Sequence, residues 1–208
     1  MKTAKIITFA HSKGGTGKST NALNLAYALK ESGYKVGVID MDHNQIVFSH
    51  NRKREESGLV GLDVLTPTGA NSIKQFVTNG FDYVVVDMGG YDTNDNRAVM
   101  KVSNLVICPL NDTFEDRTGF ERFRGIVEKN GIKNVMCLFS KIHPQKTDLS
   151  NLEKAISPYP RLQTVVRASS LHGKWRDKGK TVFDSASGEC YPRQLECLAL
   201  AAEIVERI

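Results

Sequence analysis

The chain of 208 residues is 40% hydrophobic and 25% charged, which excludes a disordered chain and is typical of one globular domain. Its apolar runs are too short to span a membrane, and its net charge of +5 permits a polyanionic partner without requiring one. The four cysteines lack the spacing of metal or redox motifs, so we expect buried thiols in a cytoplasmic protein. We expect no signal peptide, because the first residues lead straight into a strand.

The first predicted strand, residues 6–10, leads into a glycine-rich segment that opens a helix ending at Gly33. A strand, a glycine-rich turn and a helix in this order are typical of a phosphate-binding loop. The glycines let backbone amides converge on an anion at the positive end of the helix. In such a loop Lys18 binds the terminal phosphates and the Ser19 hydroxyl binds Mg²⁺. The segment reads Lys13-Gly14-Gly15-Thr16-Gly17-Lys18-Ser19-Thr20.

The segment departs from the pattern G-x-x-x-x-G-K-[ST] at Ser12, which replaces the first glycine, and it has an additional lysine, Lys13. This variant resembles the deviant phosphate loop of the ParA/MinD superfamily of ATPases. The resemblance implies binding of ATP and Mg²⁺, and a Lys13 that reaches the partner's nucleotide in a homodimer and acts with Lys18 in catalysis. A solvated lysine beside an anion site is the alternative for Lys13. The implied nucleotide-binding residues are Gly14, Gly15, Thr16, Gly17, Lys18, Ser19 and Thr20.

The second predicted strand, residues 36–40, ends at Asp40 and is followed by Asp42, at the sheet edge where open α/β folds bind ligands. By the resemblance, Asp42 positions the attacking water, while Asp40 supports it and contributes to the Mg²⁺ site. A helix N-cap is the alternative for an aspartate in this place. His43 stands where the family has proline, and the family's glutamine is either replaced by Asn44 or displaced by one residue. These departures leave the loop geometry and the hydrolysis rate open.

The next stretch has a weaker pattern. A polar helix is predicted over residues 45–56, and we interpret its basic triplet, residues 52–54, as a solvated helix face. A short strand over residues 62–65 and a helix over residues 71–78 follow.

An apolar strand over residues 81–87 ends at Asp87, which is the Walker B pattern. With a phosphate loop upstream, this pattern implies that Asp87 holds Mg²⁺ through its water shell. Gly89 and Gly90 follow, where the family has other residues. They indicate either a backbone that approaches the γ-phosphate and moves when it leaves, or an ordinary turn.

The remaining sheet elements follow from alternating helical and apolar runs. After the last long strand stands Ser140, where the family often has an asparagine that contacts adenine, so the base contact stays open and ATP is implied by the family alone. Residues 142–160 contain three prolines and are expected to be looser. The predicted elements are helices over 92–101 and 113–129 and strands over 105–109, 135–139 and 163–166.

Basic residues are concentrated near the end of the predicted sheet. By the resemblance, they grip DNA phosphates without reading sequence, although a solvated basic helix is the alternative. Trp175, which lies among them, is interpreted as a core or interface residue. The candidates for DNA contact are Arg167, Lys174, Arg176, Lys178 and Lys180.

The last predicted helix covers residues 192–208. MinD-like proteins end in an amphipathic membrane helix, but the polar face here carries several glutamates that anionic lipid would repel. We therefore expect this helix to pack on the sheet, and we expect no stable membrane association. Its predicted apolar face consists of Leu198, Ala201, Ala202, Val205 and Ile208.

Together these patterns predict an α/β fold of three layers, a doubly wound, mainly parallel twisted sheet with helices on both faces, in a single domain over residues 1–208. The resemblance covers most of the chain and implies a ParA-type switch ATPase for plasmid or chromosome partition. In such a switch, ATP closes a homodimer that binds DNA non-specifically on the nucleoid, and weak hydrolysis stimulated by a centromere-binding adaptor releases it.

Other functions remain open on the sequence. One is an ATPase that positions a protein cargo, and another is a MinD-type regulator recruited to membranes. A small-molecule kinase or ligase on the same fold has little room for a substrate domain, and an iron–sulfur reductase lacks a suitable cysteine pair. A nucleotide-binding scaffold that barely hydrolyses would fit the altered residues His43 and Asn44.

Overall fold

The computed structural model describes residues 3–67, 73, 76–77, 79–185 and 188–208. Its described strands are β1 Lys5–Phe9, β2 Val36–Met41, β3 Asp63–Leu65, β4 Tyr83–Met88, β5 Leu105–Leu110, β6 Val135–Ile142 and β7 Val166–Arg167. They form one sheet in the order β3-β2-β4-β1-β5-β6-β7. Neighbouring strands in this sheet pair in parallel, so their carboxyl ends lie along one edge.

The helices connect the strands and lie on both faces of the sheet. They are α1 Lys18–Glu31, α2 Ile46–Glu56, α3 Asn94–Val102, α4 Phe114–Asn130, α5 Ser150–Ile156, α6 Ser170–Arg176 and α7 Tyr191–Arg207. Short 3₁₀ segments span Val182–Asp184 and Gly188–Cys190. The helix predicted over residues 71–78 lies mostly outside the described residues.

Two apolar cores lie between the sheet and its helical layers, one on each face of the sheet. Successive side chains of a strand point to opposite faces, so Ile7 and Phe9 of β1 join one core with Leu25 of α1, whereas Ile6 joins the other with Phe120 of α4. The central strands are buried on both faces, as parallel strands between helices are. The predicted three-layer, doubly wound α/β fold is confirmed, and the single-domain organisation over residues 1–208 stays a prediction.

The segment expected to be loose, residues 142–160, contains a helix. Leu152 and Ile156 of α5 are buried in the core beneath α4, and Asp148 accepts a hydrogen bond from the Ser150 amide (2.9 Å) at the start of the helix. The expectation of a loose segment was therefore wrong at α5. A helix of seven residues with two buried apolar side chains has too short a hydrophobic period to be distinguished in the sequence from a proline-containing loop.

The strand predicted over residues 163–166 is reduced to the two residues of β7. The amides of Gln163 and Thr164 donate to the carboxylate of Glu203 on α7, at 2.7 and 2.9 Å, instead of to a neighbouring strand. The Glu203 carboxylate, which is distant in sequence, therefore accepts the two backbone hydrogen bonds that a neighbouring strand would otherwise accept.

Helix α7 packs against α1 and the core, as expected. Of the predicted apolar face, Ala201 is buried and Leu198, Val205 and Ile208 pack against the same core, whereas Ala202 is exposed. The most buried residues are Cys197, Leu200, Ala201 and Ile204, so the contact extends beyond the predicted face. None of the described helices is long and apolar enough to cross a membrane.

The interpretation of residues 52–54 as a solvated face is wrong for Arg54. Its guanidinium donates to both carboxylate oxygens of Asp184, at 2.6 and 2.8 Å, and lies 4.7 Å from the centre of the Tyr27 ring. The two side chains are 9% and 13% exposed, so the ion pair is nearly dry and joins α2 to the turn after α6. Arg52 does lie in solvent, where it pairs with Glu56.

We predict that Arg54→Met lowers the free energy of unfolding by about 3 kcal/mol, because Asp184 would keep a buried charge without its partner. Urea unfolding followed by circular dichroism measures the change. The matched control on the same helix is Arg52→Met, which should change stability by less than about 0.5 kcal/mol because its ion pair is exposed. Equal losses in the two variants would contradict a structural role for the buried pair.

Candidate functional site

The glycine-rich segment forms a cradle between β1 and α1. Gly15 and Gly17 have φ angles of 80° and 100°, which L side chains rarely adopt, so glycine is required at these two positions. Gly17 stands at the N-cap of α1, where the Asn21 amide donates to its carbonyl. A cavity of about 450 Å³ opens above the segment. Its walls are Ser12, Gly14, Gly15, Gly17, Lys18, Ser19, Thr20, Asp42, Asn44, Ile46, Gly90, Tyr91, Lys141 and Arg176.

Lys18 places a cation at the base of this cavity. The residue is only 5% exposed, and its ammonium donates to the Lys13 carbonyl at 2.9 Å. Burial lowers the pKa of Lys18, and the nearby carboxylates of Asp87 and Asp42 partly offset that effect. A buried ammonium held by one carbonyl is suited to bind an anion, because burial has removed most of its water.

Asp87 is a fully buried carboxylate at the end of β4, level with Phe9 of β1 and Asp40 of β2. Burial raises the pKa of Asp87 to about 7, although the adjacent Ser19 hydroxyl acts in the opposite direction. Neither of its oxygens has a hydrogen-bond partner of good geometry. A native carboxylate in this condition indicates a missing cation or water shell.

The residues present fit a magnesium–nucleotide complex. Within the described part of the chain, no group of three His, Cys, Asp or Glu side chains could hold a metal alone. Mg²⁺ is commonly bound by one or two protein ligands, waters and substrate phosphates. Ser19 and the orphaned carboxylate of Asp87 are placed for that arrangement, beside a cradle that suits phosphate.

Asp40 braces the loop that follows β2. Its two oxygens accept hydrogen bonds from the amides of Asp42 (3.1 Å) and Phe48 (2.9 Å), so the side chain is tied to the first turn of α2. Burial raises the pKa of Asp40, while these amides lower it. Asp40 is not the N-cap residue, which is Gln45, but it accepts an amide of the first turn from a distance. Its supporting role and its Mg²⁺ contact stay predictions.

Asp42 faces the phosphate loop across the cavity. Its Oδ1 accepts hydrogen bonds from both the backbone amide and the side-chain amide of Asn44, at 2.9 and 3.1 Å. Asn44 therefore fixes the orientation of the carboxylate that the sequence assigns to water positioning. The role itself stays a prediction, but the substitution at position 44 leaves the aspartate well ordered.

In the single chain the side chain of Lys13 is 37% exposed and has a protein partner. Its ammonium forms an ion pair with Asp116, a nearly buried residue in the first turn of α4, and its amide donates to Nδ1 of His11 at 3.0 Å. Ser12 is tied to the same helix, because its hydroxyl donates to the Gly119 carbonyl at 2.6 Å. The segment is thus anchored to α4, and the reach of Lys13 toward a partner stays a prediction.

The five late basic residues separate into three groups. Arg167 is held by backbone, because its guanidinium donates to the carbonyls of Lys146 (2.7 Å) and His143 (3.3 Å). Arg176 lines the cavity above the phosphate loop. The remaining three lysines lie around Trp175: Lys174 and Lys178 are exposed, Lys180 is half-buried, and Lys174 also pairs with Glu189 at 3.4 Å. The ammonium groups of Lys174, Lys178 and Lys180 lie 5.8, 5.9 and 5.7 Å from the centre of the Trp175 ring.

Lys141 was missed by the sequence analysis. It follows the buried part of β6, has a φ angle of 58°, and its ammonium donates to the Gly15 carbonyl. A lysine at the carboxyl end of a strand in this fold was a usable signal. Its neighbour Ser140 is buried and accepts a hydrogen bond from the Asn21 side chain at 2.8 Å. Both residues also line an adjoining cavity of about 240 Å³.

Comparison with known proteins agrees with this geometry. The family model described as an AAA domain matches residues 4–78, and the one described as ATPase MipZ matches residues 66–121. A putative septum site-determining protein MinD of Guillardia theta is 25% identical over 184 residues, which cover 72% of this chain and 68% of that protein. The chain spans about half to two thirds of the length of the curated relatives it matches.

Two solved structures share the fold. A putative plasmid partition protein of Borrelia burgdorferi bound to AMPPNP has a TM-score of 0.76 at 17% identity, covering 99% of this chain and 100% of that one. The MinD protein of Pyrococcus horikoshii complexed with Mg-ADP has a TM-score of 0.68 at 18% identity, covering 97% and 96%. The resemblance to the ParA/MinD superfamily is confirmed.

We predict that Asp87→Asn stabilises the chain in the absence of nucleotide and magnesium above about pH 7. The folded state holds the Asp87 proton more tightly than the unfolded state, whose pKa is near 3.8, so wild-type stability falls as the pH rises from about 4 to 7. The asparagine removes this penalty, which is worth about 4 kcal/mol well above pH 7 because the rise in pKa from 3.8 to about 7 already includes the attraction to Lys18. Urea unfolding between pH 4 and 8 measures it.

The control for this pH profile is Asp63→Asn, an exposed aspartate at the start of β3. Its profile should follow that of the wild type. Added magnesium and nucleotide should stabilise the wild type more than Asp87→Asn, because only the wild type has a carboxylate for the cation. The expected result is a stability difference between Asp87→Asn and wild type that grows from pH 4 to pH 8. An equal difference at both pH values would contradict the raised pKa assigned to Asp87.

Proposed function

We propose that this chain, which resembles ATPases of the ParA/MinD superfamily in sequence and fold, is a switch ATPase that dimerises with ATP and acts in plasmid or chromosome partition. The observation that carries the proposal is the orphaned carboxylate of Asp87 beside the buried ammonium of Lys18, in a glycine cradle at the carboxyl edge of the sheet. Two proteins of similar fold bind AMPPNP and Mg-ADP, which supports nucleotide binding by this chain.

The chain's own residues divide the work of hydrolysis. The amides of the glycine-rich segment and Lys18 bind phosphate oxygens and stabilise the charge that develops on them. Asp42, held by Asn44, accepts a hydrogen bond from the attacking water and aligns it. Mg²⁺ would supply charge neutralisation between phosphate oxygens, with Ser19 and Asp87 on its protein side. Weak hydrolysis, stimulated by an adaptor protein that binds a centromere-like site, would then end the bound state.

Dimerisation would make Lys13 exchange one anion for another. In the single chain its ammonium pairs with Asp116, whose carboxylate also accepts the Asn111 amide at 3.0 Å. A partner's phosphates offer more negative charge than that carboxylate, so the closed dimer should take Lys13 from Asp116. Two exposed apolar side chains that line the cavity, Ile46 and Tyr91, suit a contact with a second copy, and Phe48 on the same helix as Ile46 is also exposed.

The DNA-binding part of the proposal rests on the lysines at Trp175. Three ammonium groups around one half-buried indole present a compact positive surface, which two-fold symmetry would double in a dimer. Contacts of this kind bind phosphate backbone without reading sequence and depend strongly on salt.

A second candidate is an ATPase that positions a protein cargo or acts at a membrane, which the similarity to a septum site-determining protein favours. The same dimer switch would serve it, and DNA binding would then be absent. An iron–sulfur role is disfavoured, because all four cysteines are buried.

We predict that Lys13→Ala separates nucleotide binding from dimerisation. The variant should bind ATP within about threefold of wild type but remain monomeric with ATP and Mg²⁺, because the Lys13 side chain pairs with Asp116 outside the cavity wall in the single chain and is proposed to meet phosphate only across the interface. Analytical ultracentrifugation and nucleotide titration measure the two properties. As the contrasting variant, Lys18→Ala should lose ATP affinity by at least about a hundredfold. A Lys13→Ala variant that dimerises normally would remove the cross-subunit role, and a Lys18→Ala variant with unchanged affinity would remove the phosphate-loop assignment.

We predict that the wild type retains duplex DNA with ATP more strongly than with ADP or without nucleotide, at low salt. Changing Lys174, Lys178 and Lys180 together to glutamine should weaken retention about tenfold or more, because three phosphate contacts are lost. The control removes the same charge elsewhere, by changing the exposed Lys129, Lys133 and Lys154 to glutamine. Equal losses would indicate a general charge effect, and no retention in the wild type would favour a protein cargo.

A further inference from the structure

Arg176 differs from the other late basic residues in where it lies. It is the last residue of α6 and borders both the cavity above the phosphate loop and the adjoining cavity beside Ser140. Its neighbours in sequence, Trp175 and Lys174, belong to the cluster of three lysines around one indole. One short helix therefore carries a nucleotide-facing cation and a surface-facing cluster side by side.

The side chain of Arg176 has no hydrogen-bond or ion-pair partner among the described residues, although it is half-buried. Other arginines nearby have protein partners: Arg54 pairs with Asp184, and Arg167 donates to two carbonyls. Arg193 pairs with Glu196 through one nitrogen, while its Nη1 is buried without a partner. The five N–H groups of Arg176 are therefore available to an acceptor in the cavities that the residue lines.

The charge around the cavity indicates what the missing acceptor is. Lys18, Lys141 and Arg176 contribute three cations to its wall, against the single carboxylate of Asp42. The two lysines each hold a carbonyl of the loop, Lys13 and Gly15, whereas Arg176 holds nothing. A planar guanidinium is suited to bind two oxygens of one phosphate at once.

Helix α6 has seven residues, none of which is fully buried. Leu171 and Trp175 pack against the edge of the core, the His172 ring is hydrogen-bonded to the Asn24 side chain of α1 at 3.1 Å, and the Ser169 hydroxyl accepts the Leu171 amide at 3.2 Å. These contacts precede Arg176, the last residue of the helix. A contact at Arg176 would therefore add a restraint at the end of the helix that the protein itself does not supply.

Building on the nucleotide binding proposed above, we propose that the guanidinium of Arg176 binds a phosphate of the nucleotide held by its own chain, and that this contact orders α6. Occupancy of the cavity is thereby transmitted to Trp175 and the lysines around it. The mechanism needs no movement of the sheet, because Arg176 and Trp175 are adjacent residues of one helix.

Trp175 is the single tryptophan of the chain, so it reports on α6 without a label. The experiment titrates the wild type and Arg176→Gln with Mg-ATP and with Mg-tripolyphosphate, following Trp175 emission and, separately, affinity by calorimetry. In the wild type both ligands should change the emission. In Arg176→Gln both affinities should fall about tenfold or more, and the emission change at saturation should be lost. Arg176→Lys should recover part of the affinity, because lysine restores the positive charge but cannot bind two phosphate oxygens at once as a planar guanidinium does.

The matched control is Arg122→Gln on the outer side of α4, which should bind both ligands as the wild type does. Circular dichroism establishes that each variant is folded. Unchanged affinity of Arg176→Gln for both ligands overturns the inference and leaves the proposed function standing. Weaker binding of ATP with unchanged binding of tripolyphosphate also overturns it, because Arg176 would then contact the base or ribose. A wild type that binds neither ligand overturns the proposed function and the inference together.

Discussion

The arrangement of the site depends on a pair of opposite charges that the fold buries without pairing them fully. Asp87 is at the end of a strand covered on both faces, and Lys18 is in the first turn of the helix that begins beside it. Each has lost most of its water, and neither is satisfied by protein groups alone. Such groups destabilise an empty site and favour a ligand that brings both a cation and phosphate oxygens.

The neighbouring loops are arranged to keep this edge rigid. Asp40 accepts the Asp42 amide and an amide in the first turn of α2, Asn44 holds the Asp42 side chain, and Ser12 is tied to α4. Most polar atoms here are satisfied within the chain, which makes the unsatisfied ones informative. Preorganisation of this kind is what electrostatic catalysis requires, because the groups then need little rearrangement during the reaction.

A second set of contacts links the site to the surface around α6. The ion pair of Arg54 with Asp184 joins α2 to the turn after α6, and the ring of His50 is hydrogen-bonded to the Lys180 carbonyl at 3.2 Å. The helix that starts beside Asp42 therefore ends against the segment that carries the lysine cluster. Two routes, through α2 and through Arg176, connect the cavity with that surface. The buried ion pair also explains why a triplet of basic residues on α2 could not be read as uniformly solvated.

The sequence by itself predicted the glycine-rich turn between β1 and α1, most of the strands and helices in order, and the aspartates at the strand ends, because glycine spacing and apolar period are local properties of the chain. It missed the short helix α5. The parallel sheet followed, since alternating strands and helices leave few other arrangements. Only the tertiary structure decided that Arg54 is buried and that Glu203, instead of a neighbouring strand, accepts the amides of residues 163–164. It also decided that Arg176 lines the cavity, whereas the lysines near it in sequence lie around Trp175. Each of these depends on a partner or cavity wall tens of residues away, and local patterns hold no information about which distant group will meet a given side chain.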